Sequence, residues 1–388
     1  MGIWGKVETD AARLMAAACA ETGIDIVDHD IAEPLARLIG SLNSEAELSA
    51  EGAAGMETRL KRLLSNRLRM QRDLIAHPEI LDQPIVRPLF LSGAPRTGST
   101  KLHKMLAASG DFQFLPFWRG YSLSLRTGSR DEDPGARRGD AEDFVRWFDE
   151  RAPEAKLIHA YSATEAEEET LLFEHALAGG YLMALAYVPT FAGWSVPKQR
   201  AALPFLKQTL QYLQWQFHDG SAKPWVLKTP MHLGGESALA EIFPDAVFVG
   251  THRDPQVMVP SSASLITQYH KAVSDATREA QLGPMILAGL AAGTDQMIAD
   301  RAAHPDMPVL DVSYSALTQS SHAVVEQVYA HHGTALSATA AANIAAWERD
   351  NAQHKFGAHR YSLEEFGLTA GEIGQSFSRY ISRFSPYF

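Results

Sequence analysis

Gly93 and Gly98, separated by four residues and followed directly by Ser99 and Thr100, form the spacing Gly-x4-Gly-Ser-Thr. Backbone N–H groups of such a loop converge on an anion, and a helix starting at its end adds partial positive charge. The pattern predicts a phosphate group seated at residues 97–100. The lysine that reaches the β- and γ-phosphates in nucleoside-triphosphate loops is replaced by Ser99, and Lys101 comes one residue too late. Positive charge inside the loop is carried by Arg96 instead. A loop of this make-up has less use for a γ-phosphate or for Mg²⁺. An ordinary turn with a capped helix is the competing reading.

The flanking residues tell against a plain turn. An apolar run at 88–93 precedes the loop, and a helical pattern over 101–109 follows it, stopped by Gly110. Further short apolar runs at 225–228, 246–250 and 309–312 read as buried strands, with helical patterns at 237–243, 256–269 and 285–303 between them. Buried strands alternating with helices predict an α/β fold with a parallel central sheet covered on both faces. Residues 1–87 read as a helical extension packed on the core, and residues 88–388 as the α/β domain, mainly helical again from 321 onward. Together they form one structural unit rather than separate domains. In the extension, Leu60, Leu63, Leu64 and Leu68 make an apolar stripe, and Arg59, Lys61, Arg62, Arg67, Arg69 and Arg72 around it read as a solvated basic face.

The chain has 388 residues, 46% of them hydrophobic and 21% charged, which describes a globular protein and excludes disorder and low-complexity classes. Its 46 Asp and Glu against 35 Lys and Arg give a net charge of −11, so a whole-surface affinity for nucleic acid or an anionic membrane is not expected. The single cysteine, Cys19, allows no intramolecular disulfide and no cysteine-based zinc site, and it suits a reducing compartment; a cytoplasmic location is the expectation. The N-terminus lacks the pattern of a secretory signal. The most apolar stretch, 176–194, holds Gly179, Gly180 and Pro189 and reads as core helix and loop, not as a transmembrane segment.

Beyond these patterns, the loop Pro95-Arg96-Thr97-Gly98-Ser99-Thr100 resembles that with which sulfotransferases hold 3′-phosphoadenosine 5′-phosphosulfate (PAPS). The segment 243–255, ending Thr251-His252-Arg253-Asp254-Pro255, resembles that family's strand and turn, and Ser261 stands eight residues after Arg253 as the family's serine does. Leu227-Lys228-Thr229-Pro230-Met231-His232-Leu233 is similar to a segment of the bacterial branch. The resemblance runs from about residue 88 to the C-terminus. It implies PAPS as co-substrate without a metal, held by Arg96, Thr97, Gly98, Ser99 and Thr100 at the 5′-phosphosulfate and by Arg253 and Ser261 at the 3′-phosphate. Tyr314 would lie beside the adenine, and Lys355 or Arg360 would cover the nucleotide.

Sulfuryl transfer passes through a loose, charge-spread transition state, so the protein must align the atoms and neutralise charge. Arg96 and Lys228 are the candidates for the bridging and sulfuryl oxygens. For the base that takes the acceptor's proton, His232 stands ahead, as a group titrating near neutral pH close to Lys228. Glu167 or Glu168 follows, from an acidic stretch that a helix N-terminus would also explain. Phe112, Phe114, Phe117, Trp118 and Tyr121, with Tyr181, Tyr187, Phe191 and Trp194, are positioned to line a pocket for a small or lipidic hydroxyl acceptor or to pack in the core. An ATP-dependent small-molecule kinase and a non-catalytic nucleotide-binding relative are the alternative functions. The extra helices at both ends offer surfaces for a homodimer.

Overall fold

A computed structural model describes residues 4–8, 10–26, 29–217, 223–351 and 361–388. Four strands form its centre: β1 (Leu89–Gly93), β2 (Val226–Lys228), β3 (Val247–His252) and β4 (Val309–Ser313). They make one parallel sheet in the order β2-β1-β3-β4. Every residue of β1, β2 and β3 is buried, which is why these strands read as unbroken apolar runs, whereas the edge strand β4 is half-buried. The register places Leu91 opposite both Lys228 and Val249, and Gly93 opposite Thr251. The carboxyl ends of β1, β2 and β3 therefore lie side by side. The chain leaves the inner strand β1 for β2 on one side and returns past it to β3 on the other, and such a switch point opens a crevice for ligands.

The N-terminal residues fold into three helices, α1 (Ala11–Thr22), α2 (His29–Ser44) and α3 (Ala50–Ala76). Asp10 caps α1 by accepting from the Ala12 amide, and Ser49 caps α3 by accepting from the Gly52 amide. Leu60, Leu63, Leu64 and Leu68 of α3 share one apolar cluster with Phe117, Phe148, Leu171 and Leu182. The helices thus close a core with the rest of the chain instead of forming one of their own.

The expectation of a solvated basic face on α3 is overturned. Arg59 is 4% exposed and pairs with buried Glu174 at 2.6 Å. Arg62 donates to the Tyr121 carbonyl and lies 3.6 Å from the centre of its ring. Arg72 binds Asp73 and the carbonyls of Leu125 and Arg126. Asp73 apart, these partners lie far along the chain, so α3's own periodicity cannot reveal them.

The apolar stretch at 176–194 forms two short helices, Tyr181–Leu185 and Pro189–Ser195, inside that shared core. Among the described residues no helix is long and apolar enough to cross a membrane.

Candidate active site

The loop after β1 is shaped by two glycines. Gly93 has φ of 144°, and a Cβ there would meet the Thr251 carbonyl at 2.7 Å, so only glycine lets β1 end against β3. Gly98, at φ 88°, would bring a Cβ to 2.9 Å from Leu317 and 3.0 Å from Tyr314. Arg96 takes a left-handed φ of 67° without being glycine, a local strain held by its surroundings. Thr97 is buried and donates to the Ala94 carbonyl at 2.7 Å, with Thr251 Oγ1 at 2.6 Å. The helix α4 (Ser99–Ala108) begins at once, and its first amides have no acceptor within the helix. Gly98→Ala is expected to lower stability by roughly 1–2 kcal/mol. It should weaken binding of a phosphate-bearing ligand such as 3′,5′-ADP at the loop at least about tenfold, a loss of ~1.4 kcal/mol. Thermal melts and calorimetric titration check both.

At the end of β3, Arg253 Nη1 donates to the Arg96 carbonyl at 3.0 Å, and its guanidinium lies 3.8 Å from the Tyr314 ring centre. It does not spend itself on its neighbour Asp254, whose carboxylate caps the helix Pro255–Lys271 by accepting from the Gln256 amide. Ser261 in that helix accepts from Arg96 Nε at 3.1 Å, and Arg96 Nη1 donates to the Ile158 carbonyl at 3.2 Å. Arg96, Arg253, Ser261 and Tyr314 therefore form one group at the mouth of the loop. Burial pulls the Arg96 guanidinium below the usual arginine range, and the like charge of Arg253 adds to this. Two cations held this close are suited to an anion between them.

At the end of β2, Lys228 Nζ donates to Thr100 Oγ1 at 3.1 Å and is paired with the Glu168 carboxylate. The acidic stretch is not a cluster at a helix dipole, because the helix it precedes, Thr170–Glu174, has five residues and each carboxylate has its own partner. Glu165 pairs with Lys104, Glu167 with His159, Glu168 with Lys228 and Glu169 with His232. Burial pushes Glu167 up, but His159 at 3.2 Å outweighs it and holds the carboxyl below its usual range. Glu169 is lowered in the same way by His232, against the effect of its burial.

His232 sits 2.6 Å from Glu169, with its ring edge-on to Phe90. The other oxygen of Glu169 accepts from the Lys228 amide at 2.8 Å. His232 thus braces the strand end that carries Lys228. The Glu168 side chain keeps 15% of its surface exposed, against 4% for Glu167 and 0% for Glu169. Among these three it is the carboxylate most open to an incoming molecule.

Lys101 is turned away to Glu348 at 2.6 Å. Lys355 and Arg360 lie outside the described residues. Of the aromatic candidates, Phe112, Phe117, Trp118, Tyr121, Tyr181 and Phe191 are buried in core clusters. Three groups escaped the sequence reading: Glu169, His159 and the linked hydroxyls of Tyr161 and Tyr269. Glu169 stood within the acidic run, but nothing in the spacing singles out the other two.

A family model described as the sulfotransferase family matches residues 88–338, and the chain belongs to that family. Its fold is that of two solved structures from mycobacteria. With sulfotransferase STF9 from Mycobacterium avium the TM-score is 0.83 at 23% identity, over 97% of this chain and 97% of that one. With sulfotransferase STF1 from Mycobacterium tuberculosis H37Rv it is 0.77 at 27% identity, over 95% of this chain and 98% of that one. No curated protein matches the chain.

Proposed function

We propose that the protein transfers the sulfuryl group of PAPS to a hydroxyl of a small or lipidic acceptor by in-line displacement. The observation that carries this reading is the convergence of Arg96, Lys228, Arg253 and Ser261 on one loop of free helix amides. PAPS, when bound, supplies a sulfuryl group on a phosphate leaving group. Residues 97–100 hold its 5′ end, and Arg253 with Ser261 holds the 3′-phosphate that distinguishes it from ATP. Tyr314, which backs Gly98 and Arg253, lies beside the adenine. Arg96 and Lys228 neutralise the charge that develops on the bridging and sulfuryl oxygens.

Glu168 takes the acceptor's proton in this reading, and His232 acts through Glu169 to position Lys228. The pairing of Lys228 with Glu168 supports the choice, because it sets the base next to the cation that meets the sulfuryl group. The core shared by α1 to α3 with the later helices supports treating residues 1–87 and 88–388 as one unit.

The test is a thermal shift without metal, with 3′,5′-ADP set against 5′-AMP and ATP. At a hundredfold excess over Kd, 3′,5′-ADP should stabilise the fold by about 2.7 kcal/mol. Arg253→Ala should erase its advantage over 5′-AMP. No response to 3′,5′-ADP, with a response to ATP once Mg²⁺ is added in a second run, would sink the reading in favour of a kinase. Binding of 3′,5′-ADP without turnover of PAPS across a broad hydroxyl panel would leave a nucleotide-binding relative.

A further inference from the structure

A cavity of about 650 Å³ opens between α3 and the helix Gly135–Arg151, and its lining includes none of Arg96, Glu168, Lys228 or Arg253. Buried Tyr161, Tyr181 and Tyr269 form a packed ring cluster beside Glu167 and Arg96 on one side and Arg59 on the other. The volume is that of a small-molecule site. The aromatic residues of its lining are Tyr121, Phe144 and Trp147, and its many polar residues include Arg59, Arg62 and Ser65.

The charge in this cavity is not balanced. Arg59 uses Nη2 on Glu174, but its Nε and Nη1 have no hydrogen-bond partner among the described residues. Arg62 uses Nη1 on the Tyr121 carbonyl, while its Nε and Nη2 have none, and no carboxylate stands within ion-pair distance of it among the described residues. Ser65 Oγ, in a residue 1% exposed, is also without a partner there. The carboxylates of the lining do not supply the missing charge, since Glu21 is engaged by Arg69, Asp140 by Arg126 and Asp143 by Arg146. Burial pulls the Arg62 guanidinium below its usual range, and Arg59 beside it adds to that. Two guanidinium groups out of water with one carboxylate between them leave a positive charge whose burial costs several kcal/mol unless an anion meets it. Phe144, 5.1 Å from the Arg59 guanidinium, and Tyr121 hold the cations against ring faces and offer apolar surface next to them.

We propose that this cavity binds a small amphipathic anion, with its carboxylate or sulfur oxyanion on Arg62 and Arg59 and its apolar body against Tyr121, Phe144 and Trp147. The site is separate from the sulfuryl-transfer centre and stands whether or not that assignment holds.

Calorimetric titration of the full chain with 1-naphthoate, 1-naphthalenesulfonate and the neutral 1-naphthamide tests it. At least one anion should bind saturably and about tenfold tighter than the amide, ~1.4 kcal/mol in favour of the charge. Either anion bound in this way supports the proposal, and the tighter one names the headgroup. Arg62→Gln should remove most of that preference and Arg62→Lys should keep part of it, with circular dichroism checking the fold. Saturating 3′,5′-ADP should leave the binding unchanged. Equal binding of anion and amide, no saturable binding of either anion up to about 5 mM, an undiminished preference in folded Arg62→Gln, or displacement by 3′,5′-ADP would each overturn it. If Arg62→Gln does not fold, the comparison of anion with amide on the unaltered protein decides alone.

Discussion

Glu168→Gln is expected to lower kcat for sulfuryl transfer by about 10²- to 10⁴-fold, the usual worth of a positioned general base. The amide keeps the size of the side chain and its contact with Thr170, but it cannot take a proton. Affinity for 3′,5′-ADP should stay close to that of the unaltered chain, because Arg253 and Ser261, proposed to hold the 3′-phosphate, lie at the end of β3 and in the helix after it. His232→Ala should behave in the opposite way. It leaves the Glu169 carboxylate buried without its histidine, a loss on the order of 3–5 kcal/mol for breaking one side of a buried pair. The melting temperature should fall first, and the folded fraction should keep kcat within about tenfold, since the effect on Lys228 is indirect. Steady-state kinetics and melts on the two variants separate the roles. A larger kcat loss in folded His232→Ala than in Glu168→Gln would return the base to the histidine.

The difference between those two residues also marks how far the sequence is legible. Strands and loop were readable because their signals are local: buried apolar runs of four to six residues, glycines at a fixed spacing and a helix directly after. Even there, packing moved the boundaries. The pattern starts a helix at 285, after Pro284, whereas the helix begins at Glu279, because buried Leu282 and Gly283 carry the turns before the proline.

The direction of a side chain is not local. By type His232 stands a little ahead of Glu168 as a base, and only the parallel register of β1 and β2, with Glu169 laid against the Lys228 amide, turns the histidine into the core and the glutamate toward the loop. The basic residues of α3 failed for the same reason. Glu174 reaches Arg59 across 115 positions of chain, a separation no periodicity reports. Acceptor identity stayed out of reach because most of the aromatic candidates are core, and composition cannot separate a wall from a filling.

Lowering the pH should unfold this protein near pH 4.5 to 5, before the buried, paired carboxylates Glu167 and Glu169 take up protons. Three buried histidines set this expectation. Burial lowers His103 to about 4, with Lys228 adding to it; burial lowers His175 to about 3, with Arg62 adding; burial lowers His270 to about 3, with Arg278 adding. In each case the native state holds the neutral ring and the unfolded state gains a proton below about pH 6.5. Their contribution is complete above that pH and is lost as pH falls toward the native values, at about 1.4 kcal/mol per pH unit for each group. Three groups over two units amount to roughly 8 kcal/mol, the size of a whole domain's stability. Glu167 and Glu169, both held below their usual range, act in the same direction once the pH drops under the ordinary carboxylate value. His270 offers the cleanest control, because neither of its ring nitrogens has a hydrogen-bond partner among the described residues and it meets Tyr187 edge-on. His270→Phe should therefore reduce the slope between pH 6.5 and 4.5 by about 1.4 kcal/mol per pH unit. Denaturant melts at a series of pH values measure it. A stability that stays flat down to pH 4.5, or a variant with the parent's slope, would mean that these rings are reached by water and carry their protons in the folded state.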